Sequence, residues 1–327
     1  MKIFITGATG FIGNQVLNRL CQNKEHELVC LVRKLNDASE CLQNLGANLI
    51  IGDVTDKDSV AMAMKGCTHV IHLAGLYSFW EKDAHLYEKI NVEGTRNVME
   101  CALELKVSKV VHVSSVVTFG YPSSSPIDEK SEPGPCFSRY AETKRLGDQI
   151  VWDLYKTRGL PAVMIHPGGV LGAGDPKSSG SYIADLVHKR MPATVFNNTA
   201  LAWVYVGDVA EAIIRALEKP GNIGEKYLIA KYNLKFEEFN HLVSEISGVS
   251  LPQMGMPDSM AMAGSYILTG ISNLFKFKPP YGMSWDQMRT MRKGFKVDGS
   301  KAERELGLQY TPIEKAIEEE VAGLGHK

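Results

Sequence analysis

The sequence predicts an α/β protein, a doubly wound parallel sheet with a smaller, mostly helical C-terminal lobe. Three observations point there. Short β-branched runs alternate with helical patterns through the first two-thirds of the chain. A glycine turn, ITGATGFIG, joins the first run to the first helix, and from residue 231 the pattern is mostly helical, with Pro252, Pro257, Pro279 and Pro280 as punctuation. Strand–helix alternation gives a parallel sheet covered on both faces, which binds ligands beyond the carboxyl ends of its strands.

In order, the strand runs are KIFIT, LVCLV, NLIIG, HVIHLA, KVVHVSS and AVMIHP, each followed by a polar or glycine-bearing turn and a helix. After about residue 170 come the glycine-rich GAGDPKSSGS, the strand LAWVYV, a helix from Asp208 and the strand EKYLIA. Both strands are expected to return to the sheet, and Asp208 to cap its helix. Residues 1–170 with 199–230 would then form the sheet domain, and 171–198 with 231–327 a lobe closing over the strand ends. A chain of 327 residues, 44% hydrophobic, is long enough to bury such a core.

Lys and Arg (36) balance Asp and Glu (37), so no overall field favours nucleic acid or an anionic membrane. A small-molecule partner is expected. Cys21, Cys30, Cys41, Cys67, Cys101 and Cys136 include no C-x-x-C pair and read as reduced core thiols of a cytoplasmic protein. KIFIT begins at residue 2, leaving no room for an export signal. The charge-free run 259–275 is interrupted by Gly264 and Gly270 and falls short of the ~18–20 residues that span a bilayer. His69 and His72 point to opposite faces of one strand, so no metal site is expected.

Gly7, Gly10 and Gly13 stand where a tight turn lets backbone approach a pyrophosphate and free N–H groups at a helix start face its charge. A dinucleotide site on a Rossmann fold follows. After the second strand come Arg33 and Lys34, with no carboxylate before Asp37. A guanidinium there pairs with a 2′-phosphate, so NADP(H) is expected, with NAD(H) as the alternative if both cations are merely solvated. Asp53-Val54, after the third strand, would sit where an adenine edge is reached. Leu73, Ala74 and Gly75 of HLAG suit backbone lying against a ribose or nicotinamide, or a plain tight turn.

SRYAETKRLG places Tyr140 and Lys144 one helical turn apart on one face. The pair is either an ordinary surface arrangement or a phenol made acidic by a neighbouring ammonium, for which a pKa near 7 asks roughly 4 kcal/mol.

The ordered series TGATGFIG, GDV, HLAG, Asn91 in INVEGTRN, VSS, YAETK, HPGGVLG and SKAERELG resembles the extended short-chain dehydrogenase/reductases, the NAD-dependent epimerase/dehydratase superfamily, over essentially the whole chain. The basic pair, the LYSFW segment and the helical tail look most like its dihydroflavonol-reductase-like and 3β-hydroxysteroid-dehydrogenase-like branch. The resemblance implies that Tyr140 is the proton donor to a carbonyl, tuned by Lys144, which also holds the nicotinamide ribose. It implies that Ser115, not Ser114, binds the substrate oxygen, that Asn91 completes a water-mediated proton relay to Lys144, and that Thr9, Phe11, Ile12, Pro167, Gly168 and Val170 join the cofactor contacts. It also suggests a homodimer formed through helices around 84–105 and 139–158.

Tyr77, Phe79 and Trp80, with Met254, Met256, Met260, Met262, Tyr266 and Trp285 of the tail, suit an apolar or aromatic substrate. The basic run RTMRKGFK instead suits a nucleotide-sugar diphosphate. His166 reads as a packed strand histidine, and SKAERELG as a solvated helix face. The expected function is an NADP(H)-dependent reductase of a small, fairly apolar ketone or aldehyde. The alternatives are a nucleotide-sugar epimerase or dehydratase with tightly bound NAD, and a non-catalytic NADP-binding redox sensor.

Overall fold

The structure, a computed structural model, describes residues 1–121, 125–175 and 177–325. Its strands are β1 (Lys2–Thr6), β2 (Glu27–Val32), β3 (Asn48–Ile51), β4 (His69–His72), β5 (Lys109–Val113), β6 (Ala162–Pro167), β7 (Gly169–Leu171), β8 (Ala200–Tyr205), β9 (Lys226–Ile229) and β10 (Tyr232–Lys235). Seven form one sheet in the order β3-β2-β1-β4-β5-β6-β9, every pair parallel. β1 lies between β2 and β4, so the crossovers turn to opposite sides there and leave a crevice at its carboxyl end.

Alternation along β1 divides the core. Ile3 and Ile5 pack with Val16, Leu17, Val209 and Ile213 on one face, and Phe4 packs with Val60, Val98, Met99 and Val151 on the other. Residues buried at helical spacing, Gly13, Val16, Leu17 and Leu20, seat helix Phe11–Leu20 against the sheet.

EKYLIA returns to the sheet as β9, but LAWVYV does not. β9 pairs with β6 and occupies the edge that β8 would need. β8 instead pairs parallel with β7 and antiparallel with β10 in a separate three-stranded sheet. Trp203 of β8 stacks on Phe239 of helix Phe236–Ser247 with ring centroids 4.4 Å apart, which anchors that sheet to the lobe. Asp208 is not a cap either. It lies inside helix Val206–Glu218, whose N-cap is Tyr205, and its carboxylate accepts from Thr311 N (2.8 Å) and Oγ1 (2.7 Å).

All six cysteines are free, and Cys41 is exposed rather than in the core, on helix Asp37–Asn44. Among the described residues no helix is long and apolar enough to cross a membrane, and no group of His, Cys, Asp or Glu is arranged to hold a metal ion.

Candidate active site

A cleft of about 830 Å³ opens at the carboxyl ends of the parallel strands, and the glycine turn forms its floor. Gly7 has φ +75°, and a Cβ there would stand 2.7 Å from Ala74 N and 2.8 Å from the Leu73 carbonyl carbon. A Cβ on Gly13 would meet Ala8 Cα at 2.8 Å. Both positions therefore require glycine. Gly10 caps helix Phe11–Leu20 without a side-chain hydrogen bond, and the first turn carries no acidic residue. The N–H groups at that helix start are left for an anion. A cradle that a Cβ would fill, next to an uncapped helix start, fits a dinucleotide pyrophosphate.

Thr9, Phe11 and Ile12 also line the cleft, as do Arg33, Asp53 and Val54. So do Leu73, Ala74 and Gly75 from the end of β4, and Pro167, Gly168 and Val170 after β6. Arg33 is exposed and makes no ion pair among the described residues. Lys34 is exposed too but is not part of the cleft wall. One Asp53 oxygen accepts from Thr55 N at 2.9 Å, while Asp56 caps helix Lys57–Met64.

Helix Arg139–Arg158 carries the second half of the site. Ser138 caps it by accepting from Ala141 N at 3.1 Å, and Gly159 (φ +70°) ends it. Tyr140 and Lys144 are buried on one face and line the cleft with Ser115. Burial, followed by the Tyr77 hydroxyl, pushes the Tyr140 pKa above its ordinary value, and a hydrogen bond with Ser115 opposes them. Lys144 Nζ donates to Val113 O at 3.0 Å. Burial lowers its pKa and the Asp148 carboxylate works against that shift. Tyr77 and Phe79 set their rings edge-on to Tyr140, with centroids 5.1 and 6.0 Å away. Trp80 is not in the cleft: it lines a smaller neighbouring pocket, and its Nε1 donates to Asn273 Oδ1 at 2.8 Å.

Asn91 lies in a π-helical turn, Lys89–Gly94, a widened geometry frequent at functional sites. Its Oδ1 accepts from Leu76 N (2.7 Å), and its Nδ2 donates to Leu76 O (3.2 Å) and Thr143 Oγ1 (3.1 Å). The amide thus ties the turn after β4 to the helix of Tyr140 and Lys144. Gly147 brings that helix close, since a Cβ there would stand 2.7 Å from Asn91 O.

One group beneath the site has no counterpart in the sequence analysis. Asp148, one turn past Lys144, accepts from Ser114 Oγ (2.8 Å), His112 Nε2 (3.0 Å) and His166 Nε2 (3.1 Å). Burial alone would raise its pKa, but the bonds from His112 and His166 hold it well below the usual carboxylate range. Burial also lowers His112, outweighing the carboxylate. Both shifts favour a neutral His112 imidazole donating to a charged Asp148 carboxylate. The signal was present in the sequence as Tyr140, Lys144 and Asp148 at successive four-residue steps.

The expected tail residues do not form the substrate wall. Met254, Met260 and Tyr266 are exposed, and Met262 belongs to the lobe core. Leu201, Trp203, Phe236, Tyr182, Met291 and Phe295 line the cleft instead. None of the cations of RTMRKGFK lines it, and Arg289 stacks on Phe137 and Trp285.

The sequence profile described as the NAD dependent epimerase/dehydratase family matches residues 3–230. The chain belongs to that family. It is thereby an NAD(P)-dependent enzyme, as the resemblance implied. Among relatives, a Synechocystis sp. protein named provisionally as a dihydroflavonol 4-reductase is 27% identical over 326 residues, covering 97% of this chain and 93% of its own. The UDP-glucose 4-epimerase of Bacillus subtilis is 30% identical over 250 residues, 67% of this chain and 73% of that one. The crystal structure of gox2253 superposes with a TM-score of 0.83 at 33% identity, covering 99% of this chain and 97% of that one. The family's parallel sheet with flanking helices is the fold seen here.

Proposed function

We propose that this family member is an NADP(H)-dependent reductase of a ketone or aldehyde on a small, fairly apolar molecule, and the reverse dehydrogenase. One observation carries the proposal: Tyr140, Ser115 and Lys144 meet in a cleft that is continuous with the glycine cradle and is walled beyond them by aromatic and aliphatic side chains. The reduced dinucleotide, when bound, supplies a hydride to the carbonyl carbon. Tyr140 gives its phenolic proton to the carbonyl oxygen, Ser115 donates a hydrogen bond to the same oxygen, and the tyrosinate regains its proton from water. Lys144, when protonated, would offer positive charge to the developing phenolate from one turn along the same helix. Asn91 keeps the turn after β4 and the helix of Tyr140 in register.

The glycines Gly7, Gly10 and Gly13 would hold the pyrophosphate, and Arg33 the 2′-phosphate. Loss of absorbance from NADPH across a panel of aliphatic, aromatic and sugar-nucleotide carbonyls tests the reaction. Turnover of an apolar carbonyl supports the proposal. Interconversion of UDP-sugars without net loss of NADPH, read by analysis of the sugar products, overturns it in favour of the epimerase reading, which the Bacillus subtilis relative supports and which the placement of the tail cations outside the cleft disfavours. Binding of NADPH with neither carbonyl reduction nor sugar interconversion would overturn the proposed reaction as well.

Arg33→Ala should weaken NADPH binding about tenfold, as expected for loss of one solvent-exposed charge-assisted contact, and leave NADH binding unchanged. Fluorescence titration measures both. Tighter binding of NADH than NADPH by the unaltered protein would reverse the cofactor assignment.

A further inference from the structure

Helix Asp258–Phe275 is built inside out. It turns Ala261, Ser265 and Ser272, all 0% exposed, toward the lobe with Met262 as the one large apolar side chain among them, and turns Ile267 (62% exposed), Leu274 (75%) and Phe275 (70%) to the outside. Ser272 Oγ is buried with no hydrogen-bond partner. An ordinary surface helix has the opposite pattern. The apolar face continues past the helix through Phe277 and Tyr281, where Lys276 and Lys278 alternate with Phe275 and Phe277. No Asp or Glu occurs between residues 259 and 285, and over 259–297 six Lys and Arg oppose one Asp, although the whole chain carries a net charge of −1.

We propose that this face docks in the plane of an anionic lipid bilayer. The helix, about 27 Å long, is the right kind of element to lie at the boundary of headgroups and acyl chains. Its aliphatic and phenyl side chains enter the acyl boundary, Tyr266 and Tyr281 stand at headgroup level, and Lys276 and Lys278 reach the lipid phosphates. A second copy of the chain is a poorer occupant. A two-fold contact brings the same patch together from both subunits, and the lysines would meet a surface with no carboxylate between residues 259 and 285 to pair with. The face also adjoins the cleft. Asn273 accepts from Trp80, and the small pocket joining them is lined by Tyr77, Lys278, Pro279 and Gln287, of which Tyr77 and Gln287 also line the large cleft.

Flotation of the full chain with phosphatidylcholine vesicles, with and without phosphatidylglycerol, tests the proposal without cofactor or substrate, so its result is independent of the proposed reaction. The chain should float with the phosphatidylglycerol vesicles and much less with phosphatidylcholine alone. The double variant Ile267→Glu/Leu274→Glu should reduce the bound fraction at least tenfold. Lys276→Glu/Lys278→Glu should remove the preference for phosphatidylglycerol while leaving the thermal unfolding curve in place. Failure of the unaltered chain to float overturns the proposal, as does undiminished flotation of the Ile267→Glu/Leu274→Glu variant. So does a dimer in size-exclusion chromatography that this variant converts to monomer while neither protein floats, which would assign the face to a second copy.

Discussion

Tyr140→Phe should lower the rate of carbonyl reduction by about 10²- to 10⁴-fold, the usual worth of a positioned general acid, with NADPH affinity retained. Only the hydroxyl is removed. The ring keeps its edge contacts with Tyr77 and Phe79, so the cleft wall stays in place. Stopped-flow or steady-state NADPH oxidation reads the first quantity and fluorescence titration the second. A variant that kept its rate would remove Tyr140 from the chemistry.

The pH dependence follows from the direction of the Tyr140 shift. Burial first, then Tyr77, raise the phenol above its ordinary pKa of about 10. Reduction needs the protonated phenol and should be level through neutral pH, declining only in strong alkali. Oxidation needs the phenolate and should rise with pH. Contrary to the expectation from the sequence, Lys144 is not among the groups that shift the phenol, and its own charge is disfavoured by burial. A downward shift is expected from the positively charged ring of the oxidised cofactor, so ultraviolet titration of the phenol should show a lower midpoint with NADP⁺ than without it. Equal midpoints would show that the ring does not tune Tyr140.

Asp148→Asn should cost about 3 kcal/mol of folding free energy, which for 327 residues lowers Tm by roughly 4 °C. Three donors converge on the carboxylate. A carboxamide accepts through one oxygen only and presents its own N–H to one of them. Because Asp148 has a depressed pKa in the fold, its stabilisation is present above the ordinary carboxylate pKa of about 4 and fades as pH falls below that. Melting curves of the two proteins should therefore differ at pH 7 and converge in acid. A constant difference across that range would mean that the charge is not what stabilises the cluster.

Much of the sheet was legible because each strand run is short, β-branched and closed by a turn, and the turn ITGATGFIG names its own conformation. Tyr140 and Lys144 could be paired because helical spacing is a local property. What escaped depends on distant contacts. β8 has a strand's composition, but its sheet was decided by β9 taking the edge beside β6. The cleft wall comes from Leu201, Trp203, Phe236 and Met291, which no local pattern joins. Trp80 lies next to the right loop in sequence, yet its indole turns to Asn273. Asp148 was in plain view, and its significance depended on two histidines arriving from neighbouring strands.

The contact of Gly147 with the π-helical turn gives the enzyme an unequal tolerance to change. The side chains that wall the cleft beyond Tyr140 can be exchanged for larger or smaller ones without disturbing Tyr140 itself. A single added methyl at residue 147, which is outside that wall, would wedge apart the helix of Tyr140 and the turn of Asn91. Diversity across relatives and in laboratory libraries should therefore accumulate freely around the mouth of the enzyme and be halted at this hidden seam.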